Sequence, residues 1–135
     1  MSFSLTSCAS QGTVSYKQLA EDFCKLFYNA FTNQGFSGIA TMYASDALIT
    51  FVEEECVGST AFGQKLYNMG FASMLFKDLT GTAQPHGNDT ILLNVTGQCA
   101  VNSNTLSWGK FSDVFVLSKT NNVWFIQHHM FKVIA

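Results

Sequence analysis

Five side chains could do acid–base chemistry if the fold gathered them: Tyr28, Tyr43, Asp46, Asp113 and His128. A carboxylate, a tyrosine and a histidine in one enclosed place can divide a proton between them once burial moves their pKa values apart. The spacing argues against most of this. Asp46 follows Ser45 in a turn-like stretch and reads as a cap on backbone N–H groups. Asp113 stands two residues from both Phe111 and Phe115, so on a strand the three share a face. That puts one polar spot among aromatic rings, which suits a sheet face covered by a partner. His128 and His129 are neighbours, and neighbours on a strand point to opposite sides. One inward and one outward histidine is the expectation, a poor arrangement for a shared metal ion. Cys8, Cys24, Cys56 and Cys99 form no C-x-x-C pair, and Cys24 and Cys99 read as small buried hydrophobes. No Gly-rich phosphate loop and no Ser-His-Asp or Cys-His spacing is present. The residues therefore point to no catalytic group, no metal and no cofactor, and to a chain that works by binding.

The elements that would position these residues are legible in the aromatic spacing. Tyr16, Leu19, Phe23, Phe27 and Phe31 recur at helical steps and make one stripe. Phe111, Phe115, Trp124, Phe125 and Phe131 sit in two β-like runs joined by Asn121-Asn122. A long helix lying on a large antiparallel sheet buries both sets. The spacing predicts a helix from Tyr16 to about Thr32, capped by Ser15 and ended at Asn33-Gln34-Gly35. A short second helix is expected over Ser37–Tyr43 and a third over Ser59–Tyr67, weakened by Gly63. Strands are expected over Ala47–Val52, from Cys56, and over Met74–Thr82, Thr90–Val101, Leu106–Lys119 and Val123–Val133. The Glu53-Glu54-Glu55 run reads as a hairpin tip, Pro85–Asp89 as a loop and Asn102–Thr105 as a polar turn. The result is an α+β domain: a cone-like curved antiparallel sheet wrapped on a long N-terminal helix and two shorter ones. Residues 1–14, rich in Ser and Thr, read as a loose arm, and 15–135 as a single domain.

Composition narrows the partners. Of 135 residues only 12% are charged, while 47% are hydrophobic and 14% aromatic; soluble proteins average about 25% charged. Either the core is rich in phenylalanine, or a sheet face or groove is covered by a partner. The net charge of −2 and the scattered lysines argue against direct nucleic-acid binding and against electrostatic membrane contact. No basic, apolar leader and no bilayer-length apolar run is seen, so the matches to the glycosylation pattern at Asn88 and Asn94 read as chance, and reduced intracellular thiols are expected.

In order and at similar spacing, several segments resemble the nuclear transport factor 2 family. Tyr16-x-x-Leu19-x-x-x-Phe23-x-x-x-Phe27-Tyr28-x-x-Phe31 resembles its opening helix. Leu48-Ile-Thr-Phe51 followed by Gly58 resembles its first hairpin, and Val95-Thr-Gly97-Gln98 its long strand. Phe111-x-x-x-Phe115-x-Leu117 and Trp124-x-Ile126-x-x-x-Met130-Phe131-Lys132 resemble its final hairpin. The resemblance runs from about Tyr16 to the end. It implies a cone that pairs through an open sheet face, here carrying Lys110, Phe111, Asp113 and Phe115. It also implies contact with Phe-Gly nucleoporins through Tyr16, Met130 and Phe131, and a place in the nucleus, the nuclear pore and the cytoplasm.

Two kinds of family member fit: a homodimeric carrier importing Ran–GDP, and the small subunit of an mRNA-export heterodimer. The carrier uses an aromatic followed by Glu in its first hairpin, and two Asp in a later turn. Here Phe51 fills the aromatic place, Val52 stands for the Glu, and Glu53 comes one residue late, on the other face. Asn102 and Asn104 stand for the Asp pair and cannot act as carboxylates toward a lysine. These departures tilt the expectation toward the export-type heterodimer. Other proteins of the same cone are isomerases and dehydratases, which leaves a small enzyme as a further alternative.

Overall fold

The computed structural model describes residues 3–7 and 14–134. The aromatic stripe lies on α1 (Val14–Gln34), a helix about 31 Å long at about 1.5 Å per residue. Tyr16, Ala20, Cys24, Phe27, Tyr28 and Phe31 are buried along it, at the three- and four-residue steps that keep one face turned inward. Gly35 follows with φ 67°, the left-handed conformation that ends a helix at least cost when no Cβ is present.

The other elements are β1 (Phe3–Ser7), β2 (Tyr43–Phe51), β3 (Glu54–Val57), α2 (Ser59–Asn68), β4 (Met74–His86), β5 (Thr90–Val101), β6 (Gly109–Thr120) and β7 (Val123–Ile134). All strands join one sheet in the order β1-β4-β5-β6-β7-β2-β3, curved and unclosed. β4 to β7 form the expected antiparallel meander. The sheet is not wholly antiparallel, however. β2 runs parallel to β7 and β1 parallel to β4. Neither pair is joined by a hairpin, so no tight turn forces the opposite direction. The expected second helix over Ser37–Tyr43 is two 3-10 turns, Gly35–Gly38 and Ala40–Met42. This segment is too short to gain the propagating bonds of an α-helix. A Cβ on Gly38 would come 2.7 Å from the carbonyl oxygen of Ala30, so the segment is pressed back onto α1. α2 forms as expected, and its internal Gly63 has a reason: a Cβ there would meet the Phe36 ring at 2.6 Å.

Some boundaries shift. Pro85 and His86 belong to β4, paired with Ile91 and Thr90, so the expected loop shrinks to three residues. β6 begins at Gly109 rather than Leu106, which is almost fully exposed. Within the expected arm, Phe3–Ser7 pair with Leu79–Ala83. The rest of that arm before Val14, including Cys8, lies outside the described residues.

Irregularities in the pairing bend the sheet and set its faces, among them a register shift of β2 against β7 between Tyr43 and Leu48. In β4 the register shifts between Lys77 and Thr80, where Asp78 takes φ 55°. In β7, Val116 pairs with His128 and Leu117 with Ile126, so Gln127 is an extra residue. Such a bulge reverses which side chains face inward beyond it.

The inner face of β6 carries Phe111, Asp113, Phe115 and Leu117, all buried. This overturns the expectation that Phe111, Asp113 and Phe115 line an open dimer face. They lie inside, with Phe115 edge-on to Phe23 and Phe27 at 5.1 Å. The helices cover the phenylalanine-bearing side because it removes the most apolar area from water. Lys110, one residue before Phe111, is exposed on the opposite face.

Candidate functional site

Among the described residues the core holds a buried polar chain, contributed by four elements. The Tyr28 hydroxyl of α1 donates to Asp113 Oδ2 of β6 at 2.6 Å. Asp113 Oδ1 lies 2.7 Å from His129 Nε2 of β7. His129 Nδ1 lies 2.8 Å from the Tyr43 hydroxyl of β2. The Asp113 carboxylate can only accept, so with the ring proton of His129 on Nε2 it is donated to Asp113, and in that tautomer the Tyr43 hydroxyl donates to Nδ1. Burial above all, and then the charge of Asp113, hold both tyrosine hydroxyls well above their usual pKa of 10.0. Burial also raises the thiol of Cys24 and pushes that of Cys99 up to about 11.

Of the five residues expected to be able to do chemistry, the fold assembles three: Tyr28, Tyr43 and Asp113. Asp46 is exposed and accepts a hydrogen bond from Gln127 rather than capping backbone. His128 is exposed, and its neighbour His129 is the inward one. The extra residue at Gln127 is the reason. Without it His128 would share the inner face with Ile126. Counting back by twos from the aromatic Phe131 points to His129 correctly.

In this chain the acid–base groups are packed among aromatic rings. His129 is stacked on Phe115 at 4.4 Å between centroids and on Tyr43 at 5.9 Å, with Phe27 and Phe62 edge-on at 5.8 and 6.2 Å. Both nitrogens of the ring and both oxygens of the carboxylate are engaged within the chain itself. The arrangement ties α1, β2, β6 and β7 together, and a fully satisfied buried network of this kind specifies one packing.

The two turns that the sequence singled out lie at the same end of the sheet. Val52 and Glu53 form the β2–β3 turn, with φ 50° and 72°, the signs of a type I′ hairpin. Phe51 is not a surface aromatic: it is buried, stacked on Phe131 at 4.7 Å and edge-on to Phe71 at 5.3 Å. The Glu53–Glu55 tip is divided. Glu53 stays in the turn, while Glu54 and Glu55 open β3, and Glu54 pairs with Lys65 at 3.3 Å. Asn102 has a structural task that its spacing did not reveal. Its Oδ1 accepts from the Ala72 and Ser73 N–H groups at 2.6 and 3.2 Å, and its Nδ2 donates to the Gly70 carbonyl at 2.9 Å. Asn104 is exposed and accepts from the Leu106 N–H.

Tyr16, Met130 and Phe131 do not form one slot. Phe131 is buried against Phe51 and Phe111, and Tyr16 is buried on α1. Met130 points the other way and is 51% exposed, as alternation requires.

Met130 instead belongs to the outer sheet face. One cross-strand row there reads Leu92, Val116, His128, Leu48, Val57, and the next reads Asn94, Val114, Met130, Thr50. Leu48, Val57, Leu92 and Met130 are all exposed large apolar side chains. Among the described residues no group of His, Cys, Asp and Glu could hold a metal ion, and no helix is long and apolar enough to cross a membrane.

Comparison with known proteins agrees with this geometry. The nuclear transport factor 2 (NTF2) domain model matches residues 19–133. Nuclear transport factor 2 from Neurospora crassa is 24% identical over 123 residues, spanning 90% of this chain and 98% of that protein. Among solved structures, nuclear transport factor 2 from Cryptosporidium parvum superimposes with a TM-score of 0.78 at 20% identity, over 93% of this chain and all of that one. A candidate scytalone dehydratase from Novosphingobium aromaticivorans shares the fold, with a TM-score of 0.69 at 8% identity over 90% of this chain and 86% of that one.

Proposed function

The chain belongs to the nuclear transport factor 2 domain family, and from that premise we propose that it is a non-enzymatic nucleocytoplasmic transport factor. It acts at the nuclear pore, as the small subunit of an export-type heterodimer with a similar domain. The observation that carries this reading is the outer sheet face, two cross-strand rows set with Leu48, Val57, Leu92, Val114, Val116 and Met130. A face of this kind on a chain with few charges suits a lasting interface, on the order of 1,000 Å² or more. The aromatic packing around His129, which is stacked on Phe115 and Tyr43, supports binding rather than catalysis. Phe-Gly nucleoporins are the expected pore partners, and the nucleus, the pore and the cytoplasm the expected locations.

The second reading, a homodimeric carrier of Ran–GDP, is favoured by one observation: the turns of Val52-Glu53 and Asn102-Ser103 lie at one end of the sheet. Against it, the side chain of Asn102 is engaged in holding residues 70–73. Calorimetric titration of Ran–GDP distinguishes the two. The expected result is weak or no binding by the natural chain, since each charge-assisted contact contributes about 1.5–3 kcal/mol. Val52→Glu with Asn104→Asp should create or strengthen binding, while Asn102→Asp should loosen the loop it clamps. Micromolar binding by the natural chain makes the carrier the better reading. A fluorescent fusion that shows no enrichment at the nuclear rim, together with no binding to multivalent Phe-Gly repeats, removes the transport reading altogether.

A further inference from the structure

The sheet ends in β3 on one side and, on the other, in β4 with β1 laid along part of it. β3 is four residues long and holds Glu54 and Glu55; a short, charged edge strand discourages a further neighbour. β4 takes a register shift between Lys77 and Thr80, with Asp78 at φ 55° and both Lys77 and Asp78 exposed. Further along, Pro85 has no N–H to offer a neighbouring strand. Between these two blocks lies Leu79–Ala83, with no charge, no proline and no irregularity. That interval is the one β1 covers, in parallel, from Phe3 in register with Leu79 to Ser7 in register with Ala83. The slot has two sides. Leu79, Gly81 and Ala83 are buried and Thr80 is exposed, so an added strand places its first, third and fifth positions on the core side and its second and fourth on the other. The order Phe-Ser-Leu-Thr-Ser suits this, in a chain with no charged residue before Lys17. β1 is also the strand that can leave at least cost. It stands first in the chain and last in the sheet order, so its departure breaks no other strand pairing.

We propose that the Leu79–Ala83 edge of β4 is a strand-addition site: β1 holds it within the chain, and an extended segment of a partner protein takes it by displacing β1. That segment is uncharged over the length of the slot and apolar at its first and third positions. Backbone hydrogen bonds along the edge supply affinity, and the buried side of the slot supplies selectivity. The register shift at Asp78 and the proline at 85 set where the segment begins and ends. A short tether gives β1 an effective concentration of about millimolar, so only a segment that outcompetes it enters. A second copy offers only the pairings that β1 already makes, so a different chain is the occupant. The site lies on the edge of the sheet and uses no residue of the outer face or of the two turns, so it stands or falls apart from the transport reading.

The test uses the full chain and an acetylated, amidated peptide, Gly-Ser-Ile-Thr-Val-Thr-Ser-Gly, with a counterpart carrying Glu in place of Val. Phe3→Glu with Leu5→Glu loosens β1 in place. Nitrogen-15 spectra should show the first peptide binding this variant at submillimolar concentration, with shifts centred on Leu79–Ala83. The natural chain should bind it roughly tenfold more weakly, because β1 competes, and the Glu counterpart should bind neither measurably. Amide hydrogen exchange of the natural chain is the check that needs no variant. Protection over Phe3–Ser7 should be at least about a hundredfold lower than over Ile91–Val95 of β5, the mark of a strand that opens locally. No binding to the variant, equal binding to the natural chain and the variant, shifts elsewhere, or β1 amides as protected as those of β5 each overturns the proposal. Shifts at Leu79–Ala83 that grow with the concentration of the natural chain alone also overturn it, by giving the slot to a second copy.

Discussion

Replacing Asp113 with asparagine should destabilise the domain by about 2–4 kcal/mol. The carboxylate accepts two hydrogen bonds, from the Tyr28 hydroxyl and from His129 Nε2, at 2.6 and 2.7 Å. Asparagine keeps the shape but offers one acceptor and one donor, so one of the two partners faces an NH2 group. Losing a bond to a charged group costs about 1.5–3 kcal/mol, and a buried donor left without an acceptor adds about 1–3 kcal/mol. Removing a buried charge returns part of this. With an unfolding entropy near 0.28 kcal/mol/K for a chain of this length, the loss corresponds to a fall in Tm of about 7–14 °C. Circular dichroism melts and urea titrations at neutral pH measure it, and the urea m-value should not change. A second arm isolates the contact. Tyr28→Phe removes one of the two donors, so the double variant should be less destabilised than the sum of the single ones by about 1 kcal/mol or more. An Asp113→Asn protein melting within about 2 °C of the natural one, or strictly additive losses, would show that the buried chain does not hold the elements together as argued.

Tyr28 and Tyr43 also predict an alkaline weakness. Burial, then Asp113, raises both hydroxyls above the usual value of 10.0; their folded pKa is therefore the higher one, and the stability they contribute is complete below about pH 10 and declines above it. The slope should be about 1.4 kcal/mol per pH unit for each tyrosine, and Tyr28→Phe with Tyr43→Phe should flatten it in urea titrations, leaving the earlier onset due to the raised thiols of Cys24 and Cys99. Val52 is a β-branched residue held at φ 50°, so Val52→Asn should gain about 1–2 kcal/mol and raise Tm in the same melts; an unchanged or lower Tm would mean that the turn is not strained. Gly63→Ala should destabilise α2 despite the better helix propensity of alanine, because its Cβ would meet the Phe36 ring at 2.6 Å; a rise in Tm would contradict this.

Much of the fold was legible because helix and strand periodicities are local. The α1 stripe, α2 and the strand order of the final meander follow from spacing alone. Spacing says which residues share a face, and not which face the helix covers. That is why Phe111, Asp113 and Phe115 were expected outside and lie inside. A bulge adds one residue without altering composition, so Gln127 passed unseen and His128 stood in for His129. The task of Asn102 was invisible for another reason: its partners are Gly70, Ala72 and Ser73, about thirty residues away, where no local pattern reaches. The pairing of β2 with β7 is hidden in the same way, since the whole meander separates them.

The central claim is that this protein works by pairing through its outer sheet face. Sedimentation equilibrium of the purified chain, alongside its Met130→Glu variant, tests it most directly. Met130 is half exposed and its substitution leaves the core untouched, so the variant should keep its circular dichroism spectrum and sediment as a monomer. The natural chain should self-associate at micromolar concentration, through the face that a partner domain would otherwise cover. A natural chain that sediments as a well-behaved monomer at every concentration, indistinguishable from Met130→Glu, would contradict the claim.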